Sequence, residues 1–139
     1  MCIRDRLTDT APTNLDSLLD AVDLARAIGP STVLVTSVAR SDGDPAAVEM
    51  LAADASGAWL VATPRLPGVF GGTGDVTAAL FTAHLRSTGD AATALARTVS
   101  SVFDLVELTV ASGDRELRLV EAQDRYAAPR LQFPVTRVR

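Results

Sequence analysis

The chain contains no lysine, one cysteine (Cys2) and one histidine (His84) among its 139 residues. All thirteen basic residues are therefore arginine, which argues against a Schiff-base mechanism or a lysine-dependent phosphate loop of the Walker type. A disulfide bond within the chain is impossible, and the composition disfavours a Cys/His metal site or a Ser-His triad. We expect His84 to lie at the surface or at the boundary of the core.

Long hydrophobic runs and clusters of basic residues are also missing. No apolar run approaches the ~18 residues that a membrane span needs. The net charge is −4 and there is no basic block, so neither nucleic acid nor a membrane is an expected partner. With 139 residues, 47% of them hydrophobic, the chain has the size and composition of one globular domain.

The first six residues, MCIRDR, do not fit the pattern of the rest. They are too short and too charged for a signal peptide. We interpret residues 1–6 as a non-native leader and residues 7–139 as one domain that begins within a larger protein.

Hydrophobic periodicity predicts an alternation of helices and strands. Asn14 and the Gly29-Pro30 pair bound a predicted helix over residues 15–28, and the apolar run that follows predicts a strand buried on both faces. The full prediction is strands at 32–36, 48–52, 58–62 and 116–120, helices at 15–28, 76–85 and 91–109, and an irregular tail from 124 with a final extended piece. A helix that leads into a buried strand indicates the α/β class.

The most informative motif is GGTGD at residues 71–75, between a proline-containing loop and a predicted helix. Glycines allow a tight bend and a close ligand approach, and the amides of Thr73, Gly74 and Asp75 are free donors at the helix start. Such a start favours an anion. A carboxylate beside a phosphate site can accept a proton from an attacking hydroxyl group. The motif therefore predicts phosphoryl transfer, with Asp75 as the base.

Three stretches together resemble the carboxyl-terminal half of ribokinase-like kinases, and most closely the pyridoxal kinase family. They are GPSTVLVTS at 29–37, GGTGD at 71–75, and LVEAQDR at 119–125 with Pro129 and Phe133. The middle stretch is common to the superfamily, whereas the third is typical of pyridoxal kinases. The resemblance implies a ribokinase-like three-layer α/β sandwich, truncated on its amino-terminal side.

The resemblance also implies site residues and ligands. Asp75 is the expected base toward the 5′-hydroxymethyl group of the vitamin, beside which Gly72 also contacts the substrate. The expected anion hole is Gly72, Thr73 and Gly74, and the expected nucleotide contacts are Thr36, Ser37, Leu66, Pro67, Gly68 and Thr73. ATP and Mg²⁺, with a monovalent cation, a cytoplasmic location and a homodimer of the full-length protein are family expectations. No residue of this chain is predicted to ligate the metal.

The chain departs from the family in one motif. Family members carry an Asn-x-x-Glu motif that helps to organise magnesium, and Asn14-Leu15-Asp16-Ser17 is not that motif in the right place. The amino-terminal half, which supplies most of the pyridoxal pocket, is not present in the sequence. We therefore expect the nucleotide-side half of a kinase, without useful activity alone.

Two alternatives stay open. One is another kinase on the same scaffold, acting on hydroxymethylpyrimidine or a sugar. Hydroxymethylpyrimidine kinases usually have cysteine at the position of Asp75, however, and sugar kinases lack the Ala-Gln-Asp-Arg tail. The other is a non-catalytic module for nucleotide binding or dimerisation.

Overall fold

A computed structural model of the chain describes residues 12–139, in which helices cover both faces of one four-stranded sheet. The predicted leader at 1–6 lies outside these residues. The sheet has the order β1-β2-β3-β4, and each neighbouring pair is antiparallel. The elements in chain order are α1 (Leu15–Ala27), β1 (Val33–Val38), β2 (Ala47–Asp54), β3 (Gly57–Pro64), α2 (Thr73–Thr88), α3 (Ala91–Ser112), α4 (Gln123–Ala127) and β4 (Thr136–Arg137).

Helix α1 begins where the sequence predicts, at a capping box. The side chain of Asn14 accepts a hydrogen bond from the Ser17 amide (2.9 Å), and the Ser17 hydroxyl accepts one from the Asn14 amide (3.2 Å). Asn14 thus satisfies a free amide of the first turn, which gives it a structural role in capping.

The two faces of the sheet form two separate cores. On one face, Leu18 and Val22 of α1 pack against Val35 and Leu51. On the other face, α2 and α3 pack against the sheet through buried side chains that include Phe81, Leu95, Val99, Ala52 and Val61. The layers are helix, sheet and helix, so the predicted three-layer α/β sandwich is confirmed.

The sequence also predicts that the strands at 48–52 and 58–62 pair around a turn at 54–57, and the β2–β3 hairpin confirms this. The strands pair without interruption from Ala47 opposite Pro64 to Asp54 opposite Gly57. A carboxylate oxygen of Asp54 accepts a hydrogen bond from the Ser56 amide (2.7 Å), which fixes the turn.

Three sequence predictions are wrong for the described residues. Strand β1 is an edge strand in which only Val35 is buried, not a strand buried on both faces. Residues 116–120 form no strand: they run through a bend and a turn, and none of the described strands pairs with them. The tail is not irregular throughout, since α4 lies within it, although the expected final extended piece is present as β4.

The tail is attached to α3 through polar groups that we call the tail clamp: Ser100, Ser101 and Asp104 on α3 with Arg125 and Gln132 on the tail. The Asp104 carboxylate accepts a hydrogen bond from the Gln132 side-chain amide (2.6 Å) and pairs with Arg125 (3.1 Å). The Ser101 hydroxyl donates to the Arg125 carbonyl (3.0 Å), and the Ser100 hydroxyl accepts from the Gln132 amide (3.3 Å). All three α3 residues are buried.

Within residues 12–139, none of the helices combines the length and the apolar character that crossing a membrane requires.

Candidate active site

The bend at residues 71–75 turns the chain directly into α2. Gly72 occupies the N-cap position with φ 83°, a left-handed conformation that favours glycine, and no side chain caps the helix. The Val76 amide donates to the Gly72 carbonyl (3.0 Å), and the Thr73 hydroxyl donates to the Phe70 carbonyl (2.9 Å). These two bonds hold the loop against the first turn of the helix.

The amides of the bend are free. In the described part of the chain, the amides of Gly72, Thr73, Gly74 and Asp75 donate to no protein acceptor. They lie at the positive end of a 16-residue helix, where an anion is favoured. Asp75 lies in the same first turn, with an exposed side chain. A group of donors for a phosphate and a solvent-accessible carboxylate therefore lie within one turn.

The fold itself requires only one of the three glycines in the bend. A methyl group added to Gly71 or Gly74 would meet no atom within 4 Å, and neither residue has a positive φ. Gly72, in contrast, needs its left-handed backbone. Packing gives no reason for the missing side chains at positions 71 and 74, whereas close approach of a ligand to the backbone does.

A cavity of about 270 Å³ adjoins the bend, between the sheet and α3. Four of the predicted nucleotide contacts line it: Ser37, Leu66, Gly68 and Thr73. Its floor is apolar and includes Val48 and Met50 of β2 with Val99, Val102, Phe103 and Val106 of α3. An apolar cleft with a few polar groups at its mouth is the usual form of a small-molecule site.

The other predicted residues lie around the cavity rather than in its wall. Thr36 is exposed on β1 next to Ser37, and Pro67 lines a neighbouring depression that also includes Val110 and Arg115. Gly72, Gly74 and Asp75 continue from Thr73 on the exposed side of the bend. The loop between Pro64 and the bend, as predicted, leads into this region, and Val69 at its tip is 99% exposed.

The sequence did not predict that α3 lines the cavity. Val99, Val102 and Val106 had the spacing of a core-facing helix stripe, and Phe103 lay beside it. The available signal was length: the predicted helix at 91–109 has a longer apolar face than packing against the predicted helix at 76–85 needs. Arg65, which also lines the cavity, was missed because a single arginine after a strand carries no motif.

His84 is not part of this site, and its predicted surface or boundary position is wrong. It is 7% exposed, and its Nε2 atom is buried without a hydrogen-bond partner among residues 12–139. Burial, with a smaller contribution from the nearby Arg97 charge, lowers the pKa of the imidazole below its ordinary value.

Metal ligands are not clustered in the described part of the chain. Among residues 12–139, no three or more His, Cys, Asp or Glu side chains are grouped so that they could hold a metal ion. These residues therefore do not fit a dedicated magnesium cage.

Comparisons with known proteins point to one family of enzymes. The chain is 61% identical over 132 residues to a pyridoxal kinase PdxY from Leifsonia xyli, a match that covers 95% of this chain and 47% of that protein. It is 51% identical over 132 residues to a pyridoxal kinase PdxY from Corynebacterium diphtheriae, with the same coverage. The chain thus spans about half the length of the curated relatives that it matches. No family profile matches the chain.

The fold comparison agrees with the sequence comparison. The structure superposes with a TM-score of 0.85 on the pyridoxal kinase from Leishmania donovani, solved in complex with ADP and pyridoxine. The two are 26% identical, and the match covers 98% of this chain and 48% of that one. The resemblance to pyridoxal kinases and the truncated ribokinase-like α/β fold are confirmed.

Proposed function

We propose that this chain is the carboxyl-terminal, nucleotide-side half of a pyridoxal kinase, with residues 7–139 as its domain. The whole enzyme transfers the γ-phosphoryl group of ATP to the 5′-hydroxymethyl group of pyridoxal, pyridoxine or pyridoxamine. The observation that carries the proposal is the set of free amides beside the exposed Asp75 carboxylate in the first turn of α2. Similarity over 95% of the chain to pyridoxal kinases supports the choice of substrate.

The chemistry follows from the bend. In the proposed reaction, the vitamin hydroxyl oxygen attacks the γ-phosphorus, its proton passes to the Asp75 carboxylate, and the bond to the β,γ-bridging oxygen of ATP breaks to release ADP. Negative charge is spread over the phosphoryl oxygens as the group moves, and the amides of Gly72, Thr73 and Gly74 stabilise it. One such donor is typically worth ~10²–10³ in rate, and a positioned base ~10²–10⁴.

The cavity between the sheet and α3 supplies the nucleotide side. We assign its apolar floor to the base of ATP, and Thr36, Ser37, Leu66, Pro67, Gly68 and Thr73 to nucleotide contacts. The phosphates then extend from Thr73 toward the bend, since Thr73 belongs to both the cavity wall and the helix start. Gly72 and Asp75 lie where the vitamin hydroxyl would meet the γ-phosphate.

Further properties of the whole enzyme belong to the same proposal. Magnesium neutralises charge on the phosphates in enzymes of this chemistry, and a monovalent cation is a further expectation; we assign neither to a residue of this chain. A cytoplasmic location suits an enzyme that uses ATP, and we expect the full-length protein to be a homodimer.

Nucleotide binding can be tested on the chain itself. We expect saturable binding of ATP by titration calorimetry, because the cavity and bend are formed within residues 12–139. Failure to bind ATP would contradict the proposal.

We expect no turnover of pyridoxal by the chain alone. We expect turnover after fusion to the part of the Leifsonia xyli kinase that the chain does not match, and a non-catalytic module would give none.

Asp75→Asn in that fusion tests the base. We expect turnover to fall at least ~100-fold with ATP affinity almost unchanged, because the amide cannot accept the hydroxyl proton. Asp16→Asn is the matched control, since Asp16 is an exposed aspartate in the first turn of α1. Equal turnover of the two variants would reject Asp75 as the base.

A further inference from the structure

Strand β1 is interrupted at the mouth of the cavity. Val35 pairs with Leu51 and Val38 pairs with Glu49, so that Thr36 and Ser37 together face the one residue Met50. This is a β-bulge, which redirects side chains and is common beside functional sites. Ser37 has φ 50° and is the one non-glycine residue with a positive φ among residues 12–139. Such a backbone persists only where its surroundings hold it.

An ion pair lies directly after the bulge. The Arg40 guanidinium donates two hydrogen bonds to the Glu49 carboxylate, from Nε to Oε2 (2.7 Å) and from Nη2 to Oε1 (2.8 Å). Glu49 is 7% exposed and is the residue at which the β1–β2 pairing resumes. Arg40 also pairs with Asp42 (3.0 Å), whose other carboxylate oxygen accepts from the Leu15 amide at the start of α1 (3.4 Å). The chain after Ser37 is thus tied to both β2 and α1.

The pair and the cavity lie on opposite faces of the sheet. Side chains alternate along β2: Glu49 shares its face with Leu51, on the α1 side, whereas Met50 lines the cavity on the α3 side. Neither Arg40 nor Glu49 lines the 270 Å³ cavity. Ser37 lines that cavity and also a second one of about 410 Å³, which Arg40 and Glu49 do line. Val48 and Arg65 also line both cavities, and Ser37 is the one of these three residues that belongs to the bulge.

We propose that Arg40 and Glu49 are positioning residues that hold the Ser37 bulge in the conformation that contacts the nucleotide. This inference rests on the proposed function, because it takes the 270 Å³ cavity as the ATP site. The pair touches no substrate and acts through Ser37.

Because Arg40 and Glu49 form an ion pair, we infer that the pair fixes the local conformation rather than adding to the stability of the fold. Glu49 is a buried charge in the otherwise apolar stretch VEMLAA, and well-packed hydrophobic residues often replace a buried ion pair without loss of stability. An arginine fork that grips a carboxylate at both oxygens fixes distance and direction together. Hydrogen bonding to Glu49 raises the pKa of Arg40, so the arginine stays charged at physiological pH.

The test uses ATP as the probe and compares affinity with stability. In Arg40→Met/Glu49→Leu, apolar side chains of similar size replace the pair. We expect the thermal midpoint to stay close to that of the wild type while the Kd for ATP rises about tenfold. Arg40→Lys keeps the charge without the fork and is expected to fold normally, with the Kd raised several-fold. Arg118→Met, which removes a partly exposed arginine that pairs with Asp114 and Glu121, is the control and should leave the Kd unchanged.

Ser37→Ala shows whether the pair acts through Ser37. If it does, adding the apolar pair to Ser37→Ala raises the Kd no further, whereas independent effects would multiply. Wild-type ATP affinity in both the apolar pair and Arg40→Lys, or multiplied effects in the combined variant, would overturn the positioning role alone. A wild-type chain that binds no ATP would overturn the proposed function, and this inference with it.

Discussion

The bend at residues 71–75 has unpaired polar groups, whereas those of the tail clamp are buried and paired. In the bend, several consecutive amides lack a protein acceptor, and Asp75 is exposed. In the tail clamp, Asp104 is 2% exposed, and the tail provides partners for both of its carboxylate oxygens. Both regions carry motifs by which the sequence resembles pyridoxal kinases, so motif membership alone does not separate them.

The difference teaches how to assign a role to a polar motif. A buried polar group costs free energy unless it is paired, so a fully paired set is explained by the fold. Donors at an exposed helix start that the fold leaves free are instead available to a ligand. We therefore assign the tail clamp to stability and the bend to binding and chemistry.

Asp104→Ala is expected to have the largest effect on stability. It removes hydrogen bonds from Gln132 and Arg125 to a buried charge, each of a kind worth about 1.5–3 kcal/mol. Because Arg125 is partly exposed and can turn to water, we expect a total loss of about 2 kcal/mol in the free energy of unfolding. Urea unfolding measures it, and Asp124→Ala, an exposed aspartate of α4, serves as the control. A loss as small as in Asp124→Ala would show that the clamp does not hold the tail.

The glycines of the bend give a smaller effect that separates fold from ligand. Gly72→Ala forces a side chain into a left-handed backbone and should destabilise the protein by about 1–2 kcal/mol. Gly74→Ala lies in the first turn of α2 with open space around it, so it should be neutral or stabilise the fold by up to about 1 kcal/mol. Its methyl group should nevertheless weaken ATP binding, because it stands where the phosphate approaches. Undiminished ATP affinity in Gly74→Ala would argue against a phosphate at the bend.

The local part of the structure could be predicted from the sequence. The Asn14 cap, the turn that follows Asp54 and the position of α2 after the glycine bend each depend on neighbouring residues, whose chemistry is visible in the sequence. For the same reason the bend could be placed at a helix start. Four of the predicted nucleotide contacts line one cavity because the loop and the end of β1 reach the same edge of the sheet.

Features that depend on distant partners could not be predicted. Residues 116–120 have a strand-like composition, but a strand needs a neighbour, and Leu119 and Val120 remain exposed. The five-residue helix α4 is too short to show a period. The bulge at Ser37 and the Arg40–Glu49 pair arise from the register of β1 on β2, which no local pattern reveals.

His84 differs from the polar groups of both the tail clamp and the bend. Its Nε2 atom is buried as in the tail clamp but unpaired as in the bend. Its lowered pKa predicts a pH effect of definite sign. The unfolded chain binds a proton near the ordinary pKa of about 6.5, whereas the folded protein resists protonation because of burial and the Arg97 charge on α3. With respect to this group, the free energy of unfolding is therefore highest above pH 6.5. It declines as the pH falls from 6.5 through the lower pKa of the folded state. Urea unfolding at pH 7.5 and pH 5.5 should show a larger loss in the wild type than in His84→Gln, which cannot titrate. An equal loss in both would mean that the protonated imidazole has a hydrogen-bond partner in the folded protein. His84 would then be a paired buried group, as in the tail clamp.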